Sequence, residues 1–316
     1  MNRLARVIGA GMAIAALAAM GPISVSAQTA SESPGPAPSI VATVPSDQLL
    51  FANKLVICSD LPYPPQEYFD ANGNPIGSDI EIGEGIAARL GLTAQVENSV
   101  FDTIIPALTG GKCDIIISAQ NINPDRLSQV DMIPYFQAGQ AFLVQAGNPL
   151  NIQTAQDLCG KKIAVESGTT MLDYLGGTGT WTANGLPSIC TAANLAAPQP
   201  QPFSKDSDAV AALQAGAADA YMSDLPVVIG YATAQPDTFA QAPVPQIAPA
   251  LEGISVAKTN TALRDAVQAA LLSMISDGSY QAILAKYHVD SGAITADQVT
   301  APLPSPAAPS ESPAAS

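Results

Sequence analysis

Apolar residues in this chain fall into short runs separated by longer amphipathic stretches, a pattern of strands alternating with helices. Leu55-Val56-Ile57-Cys58 reads as a buried strand, Ile82 to Leu90 as an amphipathic helix ended by Gly91, Phe101 to Leu108 as the start of a helix, and Asp114 to Ser118 as a strand. Gly139 to Gln145 predicts a strand that leads away from this group. A second group opens with Lys162-Ile163-Ala164-Val165 and turns through Ser167-Gly168-Thr169-Thr170 into a helix over Met171 to Leu175. It continues with Ala209 to Ala215 as a helix, Tyr221 to Ser223 as a strand and Pro226 to Ala234 as a helix. Gly253 to Ala257 predicts a strand returning to the first group, and Thr261 to His288 carries the closing helices.

One unit occurs twice. Ala107-Leu108 precedes Gly111, Asp114 and Ser118 at the same spacing at which Ala212-Leu213 precedes Gly216, Asp219 and Ser223. In both, glycine stops a helix and a short buried strand follows, so the chain reads as two similar α/β lobes. We assign 47–138 with 250–290 to the first lobe and 139–249 to the second. Crossings near Phe136 to Gly139 and near Ile247 to Gly253 would form a hinge. Arg126 follows the first copy, and Asp224 stands directly after the second. Ligands of open α/β sheets sit beyond the carboxyl ends of the strands, so these opposite charges should face each other across the interlobe cleft, an arrangement suited to a zwitterion.

The ends change the picture of where the protein works. Arg3 and Arg6 precede an apolar run from Val7 to Met20 and the small residues Val25-Ser26-Ala27, which makes 1–27 a secretory signal peptide. No cysteine stands at the cleavage point, so a free, soluble protein outside the cytoplasm, in the periplasm, is expected without a lipid anchor. Segments 28–46 and 291–316 are rich in Ser, Ala and Pro and are expected to remain solvated. The formal net charge is -15. Losing the two signal arginines takes 12 basic residues to 10 against 27 acidic ones, a balance of -17. That surface excludes nucleic acid and anionic membrane as partners.

Four cysteines in an exported chain allow three disulfide connectivities. Pairing within lobes leaves the hinge free, which favours Cys159 with Cys190. Cys58 ends a strand and Cys113 precedes one; as parallel neighbours these would put the thiols at opposite edges, so this pair is expected to stay reduced. Signals for an enzyme are thin. His288, the one histidine, reads as a surface residue, and Ser255-Val256-Ala257-Lys258 lies in a strand rather than at the helix start that a Ser-x-x-Lys nucleophile needs. No metal-ligand cluster and no phosphate loop stand out, so no catalytic residue, metal or cofactor is assigned.

Five stretches, in order and spacing, carry a resemblance: Ser59-Asp60-Leu61-Pro62-Tyr63-Pro64-Pro65, Phe101 to Leu108, Ile122-Asn123-Pro124-Asp125-Arg126, Leu158-Cys159-Gly160-Lys161-Lys162 and Asp277-Gly278-Ser279-Tyr280. Together they resemble the family 3, amino-acid-type solute-binding proteins of bacterial ABC importers, from about Asp47 to His288. The resemblance implies a two-lobe periplasmic-binding-protein fold, a free L-amino acid as ligand, an ABC permease as partner and a monomer. Relatives that share the Cys159-Gly160-Lys161 turn commonly carry a later cysteine in that lobe, which supports Cys159–Cys190. Three departures stand out: Gly77-Ser78-Asp79 lacks the usual aromatic, Ala119-Gln120-Asn121-Ile122-Asn123 replaces Gly-Met-Thr-Ile-Thr, and Gln66 stands where phenylalanine is frequent.

By this resemblance Arg126 grips the α-carboxylate through two parallel N–H···O bonds, with the Asn121 backbone and Thr170. Asp224, with a backbone carbonyl of Ser118 or Ala119, accepts the α-ammonium, although it also fits a helix N-cap before Pro226. Thr169 belongs to the turn whose free N–H groups suit a carboxylate. Tyr63 and Phe101 wall the aliphatic part of the ligand, and Asp60 occupies a position where relatives touch it. Glu67 reads as solvated. Asp60 with the polar Gln66, Gln120 and Asn121 points to a polar or cationic side chain. An enzyme on the same fold, such as a cyclohexadienyl dehydratase with Glu166 as general acid, or a sensor for a membrane partner, is the alternative.

Overall fold

The computed structural model describes residues 38–303. Lys54–Ser59 forms β1, buried on both faces beyond Lys54 as its continuous apolar run requires. A hairpin of β2 (Tyr68–Phe69) and β3 (Pro75–Ile76) leads into α1 (Ser78–Arg89). This helix starts a turn before its apolar pattern because Ser78 and Asp79 are buried within its first turn. β4 (Thr93–Asn98) pairs parallel with β1, and α2 (Ile104–Thr109) returns the chain to β5 (Ile115–Ile116), the parallel neighbour on the other side. The β5 ladder is shorter than expected because Ala119 takes φ 44° and turns the chain toward the cleft.

α3 (Pro124–Gln129) is capped by the Asn123 side chain and precedes β6 (Val130–Gln145), which runs from the first group of strands into the second. There follow β7 (Lys162–Glu166), α4 (Thr170–Gly176), α5 (Leu186–Ala192), β8 (Gln199–Phe203) and α6 (Asp206–Gln214). Next come β9 (Ala220–Asp224), α7 (Leu225–Ala234), β10 (Phe239–Gln241) and β11 (Ile247–Ala257). α8 (Thr261–Asp277), α9 (Ser279–Lys286) and α10 (Ala296–Thr300) complete the described chain.

The strands follow the order β4-β1-β5-β11-β6-β9-β7-β8, with β10 also on β6. Alternation along the strands puts Leu55, Ile57 and Ile254 against α1 and α8, and Val56, Cys58 and Ile116 against α2. In the other half, Ile163, Val165 and Met222 face α4 and α5, while Ala164 and Tyr221 face α6 and α7. The expected two-lobe α/β fold is thus present, with β6 and β11 as a continuous antiparallel pair through both halves. Their register shifts next to Gly253, which lies opposite Pro134, a residue unable to donate to a ladder.

The repeat has a physical basis. Gly111 and Gly216 both adopt left-handed φ, +73° and +70°, which ends each helix. Asp114 accepts the N–H groups of Leu50 and Val56 at 2.8 Å, and Asp219 accepts that of Lys162 at 2.8 Å. Each aspartate therefore fastens the start of the strand beside it.

Two expectations need correction. The solvated segments are shorter than composition implied: Val41 donates to the Arg89 carbonyl, Ala42 and Val44 pack on the core, and Ile294 and Val299 are buried in it. Cys159–Cys190 is bonded as expected, with Cα atoms 5.6 Å apart, but Cys58–Cys113 is bonded too, at 5.7 Å. β1 and β5 are parallel neighbours. Cys113, however, precedes the β5 ladder, in the layer that α2 lays over Val56 and Cys58, so the two sulfurs meet above the sheet.

Candidate functional site

The carboxyl ends of β1, β5, β7 and β9 meet around one narrow cavity between the lobes. All ten residues expected in the site stand in its wall: Asp60, Tyr63, Phe101, Ser118, Ala119, Asn121 and Arg126 from the first lobe, and Thr169, Thr170 and Asp224 from the second. Glu67, Glu166 and Met171 join them. Gln66 and Gln120 do not: Gln66 donates to Glu252 at 2.8 Å and Gln120 accepts from Ser255 at 2.9 Å, both behind the wall.

Arg126 lies in the first turn of α3, placed by the bond from its N–H to Asn123 Oδ1 at 2.8 Å. Its guanidinium donates to the carbonyls of Asn121 at 2.7 Å and, across the cleft, Gly168 at 3.0 Å, and its carbon lies 5.2 Å from the centre of the Phe101 ring. Burial pulls its pKa down to about 10, so it stays charged at neutral pH. A buried guanidinium held only by carbonyls and a ring face is suited to an anion.

Opposite it, Asp224 ends β9. Tyr63 donates to its Oδ2 at 2.8 Å, and the same hydroxyl lies 2.8 Å from Ser223 Oγ. Among the described residues, Asp224 Oδ1 is buried with no hydrogen-bond partner. Burial raises this carboxyl to about 7, opposed by the Tyr63 bond and by Arg126. A cation placed on Oδ1 would restore its ionised form.

Thr170 donates to Asn121 Oδ1 at 2.5 Å and accepts from Gln140 at 2.8 Å, joining the lobes on the Arg126 side. Asn121 Nδ2 is left buried without an acceptor among the described residues. Thr169 caps α4 through the N–H of Leu172. Asp79, at the departure from the family pattern, accepts the N–H of Ala119 at 3.0 Å and the Tyr135 hydroxyl, and so holds the turn between Ser118 and Asn121 in its left-handed shape.

Glu67 is not solvated. It is 1% exposed, Ser118 Oγ donates to its Oε1 at 2.8 Å, and its Oε2 has no partner among the described residues. Burial first, then Asp79, pushes its pKa well up. Glu166, the general acid of the enzyme alternative, ends β7 immediately before the Ser167-Gly168 turn and stands in the wall. Four carboxyls and one guanidinium therefore surround the cavity, and burial favours the protonated forms of Glu67 and Glu166, which a cation in the cavity would oppose.

Gly168 sets how closely the lobes approach. It has φ +77°, and a Cβ there would stand 2.9 Å from Asp102 Cα. Gly168→Ala is expected to weaken ligand binding about tenfold to a hundredfold, as overpacking of about 1–3 kcal/mol acts only in the closed form. Titration calorimetry beside a melting curve would separate this from the general left-handed strain of about 1–2 kcal/mol. Unchanged affinity would show that this approach is not needed for binding.

A two-lobe α/β molecule with a buried charge of each sign across one cleft defines a class of small-molecule binding proteins. Residues 55–290 match the model of the bacterial extracellular solute-binding proteins, family 3, and the chain belongs to that family. It is 28% identical over 225 residues to ABC transporter arginine-binding protein 1 of Escherichia coli (strain K12), covering 70% of this chain and 85% of that protein. Among solved structures it is similar to an ancestral arginine-binding protein bound to arginine, at 31% identity and TM-score 0.66, over 74% of this chain and 98% of that one. It is also similar to the ancestral amino acid-binding protein AncCDT-1, a precursor of cyclohexadienyl dehydratase, at 28% identity and TM-score 0.62, over 74% and 95% of the two chains.

Proposed function

We propose that this protein is an exported receptor that closes its two lobes on a free L-amino acid with a polar or cationic side chain and hands it to an ABC permease. The observation that carries this reading is the pair Arg126 and Asp224, both buried, on opposite walls of one cavity. Arg126 takes the α-carboxylate with Asn121 and Thr170. Asp224 Oδ1 takes the α-ammonium, with a carbonyl of Ser118 or Ala119. Tyr63, Phe101 and Met171 cover the aliphatic stem, and the surplus of wall carboxyls selects against acidic ligands. The arginine-binding relatives support a cationic ligand. Residues 1–27, the expected signal peptide, lie outside the described residues; with the family they support a place outside the cytoplasm.

Thermal unfolding of the ligand-stripped protein against the L-amino acids, ornithine and citrulline tests the reading. A ligand at a thousand times its Kd adds about 4 kcal/mol, and each kcal/mol raises the midpoint by roughly 2–4 °C. The largest shifts are expected with arginine, lysine and ornithine; no shift with any amino acid would refute the receptor. A second reading rests on Glu166, an acid raised to about 10 by burial and by Asp206 and Asp60, which can carry a proton into the cleft as a dehydratase requires. Turnover of prephenate or arogenate would establish it.

A further inference from the structure

Gln66, where phenylalanine is frequent in the family, lies not in the ligand wall but against Glu252, and both side chains are at 0% exposure. Gln66 Nε2 donates to Glu252 Oε2 at 2.8 Å. Among the described residues, the other oxygen of each group, Gln66 Oε1 and Glu252 Oε1, is buried with no partner. Turning the amide over would only set two acceptors against each other, since a carboxylate has nothing to donate. The Tyr135 hydroxyl, 3.4 Å from Glu252 Oε2, cannot supply the missing hydrogen, because its single proton goes to Asp79. A carboxylic acid and a primary amide, by contrast, close a ring with N–H···O one way and O–H···O the other, and the second bond uses the two oxygens left over here.

We propose that Glu252 is a neutral carboxylic acid closed into a ring with the Gln66 amide, and that this pair, in a role that rests on the receptor reading, positions the two ends of the head-group clamp. Gln66 belongs to the turn that carries Tyr63, and its N–H donates to the Tyr63 carbonyl at 3.1 Å. Tyr63 reaches Asp224, on the ammonium side. Glu252 belongs to β11, whose residues on either side of it hold the segment around Asn121. The Ile122 N–H donates to the Leu251 carbonyl at 2.7 Å, and the Gly253 N–H to the Gln120 carbonyl at 2.9 Å. Asn121 in turn holds Arg126, on the carboxylate side. The ring therefore ties the backbone behind Tyr63 to the backbone behind Asn121.

The surroundings keep the pair neutral. Asp79 of α1, Asp224 of β9 and Glu67 beside Gln66 bring negative charge toward Glu252; Arg126 of α3 is the cation among its neighbours, and Tyr135 of β6 and Tyr280 of α9 bring uncharged hydroxyls. Asp79 is the better seat for a charge, with the Ala119 N–H and the Tyr135 hydroxyl as donors, and is raised only to about 6. Burial first, then Asp224 and Asp79, pushes Glu252 well up. The unfolded chain ionises this residue above about pH 4 and the folded chain does not, so the stability its neutral form supplies is full below that pH and is lost as pH rises toward the folded value.

Glu252→Gln in the full mature chain replaces the acid proton by an N–H and cannot ionise. It should bind amino acids as tightly as the wild type and melt higher, by a margin that widens roughly 3–5 °C per pH unit between about pH 5 and 8. The double variant Gln66→Leu, Glu252→Leu removes both partners, so it leaves neither of them unpaired and keeps the fold, but it lacks the brace; calorimetric titration should show amino acids bound at least about tenfold more weakly. A melting margin that does not change with pH, or weakened binding in Glu252→Gln, would overturn the neutral acid. Wild-type affinity in the double variant, or loss of its fold, would overturn the positioning role. The margin is read without ligand, so a wild type that binds no amino acid while the margin widens would remove the receptor reading and leave the acid-amide pair standing.

Discussion

Arg126→Ala is expected to bind amino acids a few hundred- to a few thousand-fold more weakly, a loss of about 3–5 kcal/mol. The size follows from burial: the side chain is 7% exposed, already desolvated, and held only by two carbonyls and the Phe101 ring. A carboxylate entering this site meets donors that need no further ordering, and without them it is buried unpaired. Arg126→Lys should recover little, since an ammonium cannot present two parallel N–H groups. Melting of the ligand-free variant should be unchanged or slightly raised, because a desolvated charge has been removed. Calorimetric titration beside that melt reads both effects, and wild-type affinity in Arg126→Ala would end the head-group assignment.

Loss of the Cys58–Cys113 bridge should be the largest effect on the fold. The bond closes a loop with a sequence separation of 55, and chain-entropy arguments put the stabilisation near 4 kcal/mol. The double variant Cys58→Ala, Cys113→Ala should therefore melt roughly 10 °C below the wild type. Thiol titration of the denatured, unreduced protein should find no free sulfhydryl; two free thiols per chain would show that the bridge does not form.

The strand-helix alternation was legible because each lobe has a sheet covered by helices, and period and length alone distinguish those elements. The cavity wall was largely legible for a related reason: Ser118, Arg126, Thr170 and Asp224 stand at or after strand ends, where such folds place their ligands. Glu67 was not, since its burial depends on Ser118, 51 residues away, and no local periodicity reports that contact. Cys113 was misjudged because parallel pairing of β1 with β5 was taken to hold the two strand ends apart, whereas Cys113 lies with Cys58 in the layer under α2. The closing helix α10 left a weak trace: Thr295 and Gln298 form a reciprocal capping pair, which the surrounding Ala and Pro obscured.

The route of β11 has a consequence for how the molecule is made. The first group of strands cannot finish its core with its own segment, because β5 pairs with β11 and the cluster around Leu55 and Ile57 is completed by Leu263, Leu271, Leu284 and Val299. Those residues emerge last. The second group, whose core draws on residues between Ala141 and Ile247, has its sequence available earlier. Folding should thus begin in the middle of the chain, with the amino-terminal strands waiting for distant partners, and a truncation before β11 should leave one folded half and one open, aggregation-prone half.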